Sequence, residues 1–202
     1  RTALDARDLA SLTLDTSTSP GNSLVSAWAT QADGVVSWAQ GTAANRPQYK
    51  ASAGGLAAPA VCFGAQSVQT ACRLVAGSQL AVSGPVTVIA VVDSQETSSA
   101  KALLDSQTER RILSIRTSTG QVGWYDGTDY RPAAAAAVTG VQTLTWLLEN
   151  AGGEIRRGRS TSVGTGAYAE GAWGSGGTTS LGTVHNSFSC PSISLYGLFF
   201  WA

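Results

Sequence analysis

The stretch QTLTWLLEN, residues 142–150, has the period of two that is typical of a β-strand. Leu144, Trp146 and Leu148 fall on one face of such a strand, whereas two threonines, another leucine and Glu149 fall on the other face. One face is therefore apolar and the other is mostly polar, as in a strand that covers a hydrophobic core on one side only. The stretch predicts a strand of an antiparallel sheet.

Similar short runs, rich in Val, Ile, Leu, Thr and aromatic residues, recur between clusters of Gly, Ser, Asn and Asp, and give about a dozen candidate strands. The other runs are VVSWAQ (35–40), PAVCF (59–63), VTVIAVVDS (86–94), KALLDS (101–106), RILSIRT (111–117), QVGWYDG (121–127), GEIRRGR (153–159), TTSLGT (178–183) and SISLYGLFFWA (192–202). This spacing predicts an all-β protein, an antiparallel β-sandwich or barrel. Nothing marks a domain boundary, so we expect a single domain over residues 1–202.

Two of the runs are apolar in both phases, VTVIAVVDS and the closing run from Leu195 to Trp201. They predict strands covered on both sides, with the second cover supplied by a sandwich or by a partner chain. Near the N-terminus, LDARDLASLTLD (residues 4–15) predicts a single helical turn with Asp5 as its N-cap, followed by the first strand.

The charges are balanced, with 13 basic and 13 acidic residues and no run of like charges. This balance argues against nucleic acid, an anionic membrane surface or a polyanion as the main partner. No apolar run approaches the roughly 18 residues of a membrane-spanning helix, and no basic-then-apolar signal segment begins the chain. We therefore expect a soluble chain with no nucleic-acid or membrane partner.

Three cysteines cannot all pair within one chain. Cys62 and Cys72 lie in neighbouring strand-like segments and are candidates for a disulfide across a hairpin, but their phases direct them to opposite faces. Buried thiols that form no disulfide are the favoured interpretation, because cysteine packs as a small hydrophobic residue. The absence of a C-x-x-C pair or a Cys/His group argues against a structural zinc site.

The segment GTAANRPQY, residues 41–49, separates two apolar runs. Proline fixes its own φ and drives the preceding residue towards extended geometry, so Arg46 and Pro47 predict an extended covering segment and not a central strand.

In sequence order, the chain contains LDARDLASLTLD, VVSWAQGTAANRPQY, GLAAPAVCFG, RLVAG, GPVTVIAVVDS, TWLLENAGGEIRRG, LGT and SISLYGLFFW. This succession resembles the concanavalin A-like (laminin-G-like) jelly-roll domains of bacterial and bacteriophage proteins. The resemblance implies a jelly-roll sandwich in which Arg46 and Tyr49 attach the crossing segment to the sheet edge. A ligand role for these two residues is the alternative.

The signatures of the enzymes with this fold are missing. Jelly-roll β-glucanases carry a Glu-x-Asp-x-x-Glu strand, since retaining hydrolysis needs two carboxyl groups about 5 to 5.5 Å apart. Here Glu149 and Glu154 flank a turn, which is more typical of solvated surface, and His185 has only loop neighbours and no triad. The Asp-Gly at Asp126 is first a turn signal, with metal binding by Asp126 and Asp129 as the alternative. We expect no catalytic residues, no metal and no cofactor.

The remaining candidates are aromatic and charged residues in loops, the mixture that stacks on sugar rings and binds their hydroxyl groups. The predicted site consists of Trp124, Tyr125, Asp126, Asp129, Tyr130, Arg131 and Trp173. Trp124 or Tyr130 is expected to form the stacking platform, the aspartates to accept hydrogen bonds and Arg131 to donate them. Packing of one aromatic residue in the core, or against another subunit, is the alternative.

The resemblance to jelly-roll modules of phage virions and the weakly charged Ala/Gly/Ser/Thr-rich composition favour a structural role without enzymatic activity. We expect a virion decoration or fibre protein at the virion surface, with other virion proteins or copies of itself as partners and a cell-surface glycan as a further ligand. The alternatives are a secreted bacterial carbohydrate-binding module and, third, a degenerate glycoside hydrolase.

Overall fold

The structure is a computed structural model that describes residues 2–15, 23–31, 36–67, 72–76, 84–97, 100–106, 111–128, 130–149, 152–159, 161–168, 178–183 and 190–201. The strands in these ranges are β1 (Thr2–Asp5), β2 (Leu12–Asp15), β3 (Ser23–Ala29), β4 (Ser37–Ala39), β5 (Gln48–Ala53), β6 (Ala58–Phe63), β7 (Leu74–Ala76), β8 (Val86–Ser94), β9 (Lys101–Ser106), β10 (Arg111–Arg116), β11 (Gln121–Asp126), β12 (Tyr130–Ala136), β13 (Gly140–Glu149), β14 (Gly152–Arg157), β15 (Thr161–Gly166), β16 (Thr179–Leu181) and β17 (Ile193–Trp201). Short 3-10 turns span Leu9–Ser11, Ala43–Asn45, Gly54–Leu56 and Gly64–Gln66.

The strands form two facing antiparallel layers. The back layer has the order β15–β14–β13–β8–β17, and β17 pairs with β6 through its first half and with β1 through its second half. The front layer has the order β12–β11–β10–β9–β16–β7–β4–β3–β2. Strand β5 pairs with both β6 and β3 and so connects the layers. The fold is an antiparallel β-sandwich of jelly-roll type, which confirms the predicted fold class.

The hydrophobic core lies between the layers and takes alternate residues from each strand. On β13, Leu144, Trp146 and Leu148 are buried, whereas the residues of the other phase, Thr143, Thr145 and Leu147, are only half-buried, which confirms the predicted faces. Trp28 of β3 and Trp38 of β4 are paired in register and fully buried. Both layers thus direct their apolar phase inward.

The two apolar runs were both predicted to be covered on both sides of the sheet. Strand β17 is covered on both sides over most of its length, whereas the described residues cover β8 fully on one side only. In β17, every residue from Ile193 to Leu198 is buried, because Tyr196 on the outer face packs in a second small cluster. In β8 the outward residues Ile89 and Val91 are half-buried. The described chain therefore supplies one full cover for β8, from the core side.

The segment at Arg46 is attached to the sandwich as predicted. Arg46 Nη1 lies 2.8 Å from Asp15 Oδ2, and its Nε and Nη2 atoms donate to the carbonyl groups of Gln40 and Gly41 at 2.8 and 2.9 Å. The amide of Val25 donates to the carbonyl of Pro47. These bonds fix the chain in an extended path into β5, where Tyr49 packs against the core.

The N-terminal helical turn is a 3-10 turn, Leu9–Ser11, and its cap is Asp8 in place of the predicted Asp5. The Asp8 carboxylate accepts a hydrogen bond from the amide of Ala10 at 3.1 Å. Asp5 ends β1 and binds Arg7, whose Nη2 atom lies 2.6 Å from Asp5 Oδ2. A strand therefore precedes the turn as well as following it.

Candidate functional site

The clearest surface feature of the predicted site is a pair of tyrosines on the β11–β12 hairpin. Tyr125 and Tyr130 face each other in register on the outer side of the front layer. Their ring centroids lie 4.9 Å apart with the planes at 54°. The hydroxyl group of Tyr125 donates to the carbonyl of Gly127 at 3.2 Å, and Tyr130 is 41% exposed. The hairpin therefore carries adjacent aromatic rings at the front edge of the sandwich.

Trp124 is not part of this surface. Its side chain is 1% exposed and belongs to the core, because it has the opposite phase to Tyr125 on the same strand. The ring fills the space above Gly153 so closely that a Cβ added there would lie 2.6 Å from it. The prediction of Trp124 as a stacking platform is wrong for this structure, and its core alternative holds.

Asp126 also faces inward, contrary to the expectation that it accepts hydrogen bonds from a ligand at the surface. It is buried in the same phase as Trp124. Its Oδ1 atom accepts from the amide of Thr128 at 2.9 Å, and its Oδ2 atom lies 3.4 Å from Nε of Arg131. The carboxylate thus stabilises the turn and orients the half-buried Arg131 side chain.

Two members of the predicted set, Asp129 and Trp173, lie outside the described residues, as does His185. Tyr125, Tyr130, Asp126 and Arg131 come together on the hairpin, with the rings outward and the ion pair behind them.

Behind the hairpin lies a polar group that the sequence reading missed. We call Thr179, Ser106 and Arg111 the inner polar row, because they lie side by side on β16, β9 and β10 in the phase that faces the interior. Arg111 is 5% exposed, and its guanidinium lies 5.6 Å from the ring centroid of Tyr168. Its Nε and Nη1 atoms, and the hydroxyl groups of Ser106 and Thr179, have no hydrogen-bond partner among the residues that the structure describes.

One sequence signal points to this row. Arg111 has the same phase as Leu113 and Ile115, which are buried in the core. A charged residue in the apolar phase of a strand predicts a buried polar site, since burial of a charge is costly unless it is compensated.

A second concave surface lies on the outer face of the back layer. It is a groove of about 750 Å³ lined by residues of β13, β14 and β15, among them Leu147, Glu149, Glu154 and Arg156. Glu154 is opposite Leu147 in the pairing, and its Oε2 atom lies 2.9 Å from Nη2 of Arg156. The Arg156 guanidinium holds the pKa of Glu154 below its ordinary value, mainly through this hydrogen bond.

Within the described ranges, no three or more His, Cys, Asp or Glu side chains form a group that could hold a metal ion. In the same part of the chain, no helix has both the length and the apolar character needed to span a bilayer.

No protein-family model matches the chain, and no curated protein matches it. Among solved structures, the chain is similar to domain 4 of AbnA, a GH43 extracellular arabinanase from Geobacillus stearothermophilus, described in complex with arabinotriose. The TM-score is 0.59 at 14% identity, over 80% of this chain and 76% of that chain. This similarity supports the sandwich fold.

Two further structures are more distant. A Trypanosoma rangeli sialidase gives a TM-score of 0.46 at 13% identity, over 95% of this chain and only 30% of that chain. A glycoside hydrolase family protein from Mycobacterium thermorestibile gives 0.36 at 11% identity, over 64% and 67% of the two chains.

Proposed function

We propose that this chain is a carbohydrate-binding module of concanavalin A-like type, without catalytic activity, whose ligand lies against Tyr125 and Tyr130. The observation that carries the proposal is the ring pair itself, which presents an aromatic surface at the edge of a rigid sandwich. Aromatic faces stack on the C–H faces of sugars. Arg131 is in register with the buried Trp124, so its ion pair with Asp126 lies on the inner side of the hairpin and supports the strands that carry the rings.

The described ligand of AbnA domain 4 supports the same class of partner. That domain shares the sandwich fold and is described with arabinotriose, a neutral trisaccharide. The balanced charge of this chain also fits a neutral ligand better than a polyanion. Arabinotriose and arabinan are therefore the first probes.

The absence of catalysis is part of the proposal. Glu149 and Glu154 line one groove, as a glycosidase pair would. A glycosidase general acid has a raised pKa, whereas the ion pair with Arg156 lowers the pKa of Glu154. Reducing-sugar release from arabinan, xylan and β-glucan is the corresponding assay, and any release abolished by Glu154→Gln would contradict this part of the proposal.

The binding proposal is tested by affinity electrophoresis in gels that contain arabinan, xylan, β-glucan or starch. We expect retardation of the wild-type chain in at least one gel, and loss of retardation for Tyr130→Ala. Val138→Ala is the matched control, because Val138 is 39% exposed just after the same strand. A wild-type chain that migrates unretarded in every gel contradicts the proposal, as does equal retardation of Tyr130→Ala.

A second candidate function is assembly at a virion surface, with copies of this chain or other virion proteins as partners. It is favoured by the outer face of the back layer, where Phe199 and Trp201 stack with centroids 6.1 Å apart beside half-buried Ile89. Secretion is the alternative location. Sedimentation of the purified chain tests the assembly role. We expect the chain to self-associate, and we expect Phe199→Ser to weaken the association. A chain that stays monomeric at all concentrations and does not co-purify with particles contradicts this role.

A further inference from the structure

Cys72 and Cys190 are adjacent although they lie far apart in the sequence. Cys72 precedes β7 and Cys190 precedes β17, and both side chains are buried. The Cys190 thiol donates to the backbone carbonyl of Cys72. The Cys190 side chain and burial raise the pKa of the Cys72 thiol above its ordinary value.

Gly64 contacts Cys72 directly and packs against the residue that follows Cys190. The amide of Gly64 donates to Sγ of Cys72 at 3.2 Å. Gly64 has a φ of +57°, and a Cβ added to it would lie 2.6 Å from the carbonyl oxygen of Pro191, the residue after Cys190. The segments that carry the two cysteines therefore pack on one turn, which limits how far the sulfur atoms can separate.

Cys62 has a different environment. It lies in the outer cluster with Tyr196, whereas Cys72 and Cys190 belong to the main core between the layers. Its Sγ atom is 3.5 Å from Oγ of Ser194. This separation supports the expectation that Cys62 and Cys72 face opposite ways, and leaves Cys190 as the neighbour of Cys72.

We propose that Cys72 and Cys190 form a disulfide when the chain folds in an oxidising compartment. The oxidant is a low-molecular-weight disulfide of the glutathione type. One cysteine thiolate attacks that disulfide and displaces a first small thiolate, which leaves a mixed disulfide. The second cysteine thiolate then attacks the protein sulfur of the mixed disulfide and displaces a second small thiolate. The cysteine pair loses two electrons, and its two thiol protons pass to the two small thiols released.

The bond forms during folding, before the site closes, because both thiols are buried in the native protein and an external disulfide cannot reach them. It links residues 118 positions apart, so it restricts the unfolded chain strongly. We expect the oxidised protein to melt about 5–15 °C above the reduced protein. The proposal is independent of carbohydrate binding.

The test refolds the full chain from urea in a reduced/oxidised glutathione buffer, and in parallel with dithiothreitol. Alkylation of the unfolded product, followed by peptide mass mapping without reduction, identifies the linked residues. We expect a Cys72–Cys190 cross-linked peptide, alkylation at Cys62 alone, and a higher Tm for the oxidised sample. Cys62→Ala is the matched control and keeps both the cross-link and the Tm difference.

Three alkylated cysteines after oxidative refolding, or a cross-link that includes Cys62, overturn the proposal. Both measurements use the wild-type chain, so they stand even if Cys72→Ala or Cys190→Ala fails to fold. If those variants do fold, each is expected to lose the Tm difference between the two buffers.

Discussion

The ring of Tyr130 packs against the ring of Tyr125 across the β11–β12 hairpin, with the two ring centroids 4.9 Å apart. Tyr130 is the outer of the two, and the hydroxyl group of Tyr125 is already engaged with the carbonyl of Gly127. The inner ring is thus more enclosed by the fold than the outer ring, which is 41% exposed, and this difference separates their contributions to stability and to binding.

Tyr130→Ala is therefore expected to affect binding more than folding. Loss of the aromatic pair should cost about 0.5–1.5 kcal/mol of unfolding free energy. Loss of a central stacking ring should cost roughly 1–3 kcal/mol of glycan binding energy. Urea unfolding and titration calorimetry with the oligosaccharide of the retarding polymer measure the two terms. A large loss of stability with unchanged affinity would assign the ring to packing.

Trp124→Ala is expected to show the reverse behaviour. The ring is enclosed by the core and by Gly153 and Gly166, so its removal should cost about 3–5 kcal/mol of unfolding free energy. Trp124→Phe keeps part of the volume and should cost less. Glycan affinity per folded molecule should stay unchanged in both variants. A loss of affinity without a loss of stability would show that Trp124 contributes to binding.

Arg46→Ala tests the attachment of the crossing segment. The side chain is 16% exposed and binds Asp15 and two backbone carbonyls, so its removal should cost about 1–3 kcal/mol of unfolding free energy. Arg7→Ala is the control, because the Arg7 side chain is 73% exposed and its pair with Asp5 should contribute less than about 1 kcal/mol. Equal effects of the two substitutions in urea unfolding would mean that Arg46 does not anchor the segment.

Arg111→Met tests whether the inner polar row stabilises the protein. Within the described ranges, Nε and Nη1 of the buried Arg111 guanidinium have no hydrogen bond, which makes its burial costly. An apolar side chain of similar length should therefore leave stability within about 1 kcal/mol of wild type or raise it. Urea unfolding of the variant and of wild type gives the sign of the change in unfolding free energy. A loss above about 3 kcal/mol would show that the charge is compensated within the folded protein.

The pH dependence of Asp5 follows from its partner. The hydrogen bond from Arg7 lowers the pKa of Asp5 in the folded protein, so the pair contributes stability above the ordinary carboxyl pKa. That contribution is lost as the pH falls through the folded value. The small Tm difference between wild type and Arg7→Ala should therefore be constant near neutral pH and disappear in acid, once the pH lies below the lowered pKa of Asp5. A difference that does not decrease with falling pH would exclude Asp5 as its source.

Much of the fold was predictable because strand periodicity is local. The alternation in residues 142–150 identified the buried face of β13, and the restriction around Pro47 identified the crossing segment. Both depend on neighbours in the chain, whose geometry the residues themselves limit.

The candidate site was only partly predictable. The two-residue repeat of a β-strand places Trp124 and Tyr125 on opposite faces. It does not say which of the two faces is inward, because both residues are aromatic. The pairing of β11 with β10 and β12 decides this, and it turns Asp126 inward together with Trp124.

The sequence by itself determined the strands, their alternating faces and the Arg46 segment, because these follow from backbone and side-chain restrictions within a few residues. Only the tertiary structure decided that Arg111 lies over Tyr168 and that Cys72 meets Cys190. These contacts join residues distant in the chain. They depend on the order in which strands pair and on which faces of the two layers meet, neither of which a local pattern contains.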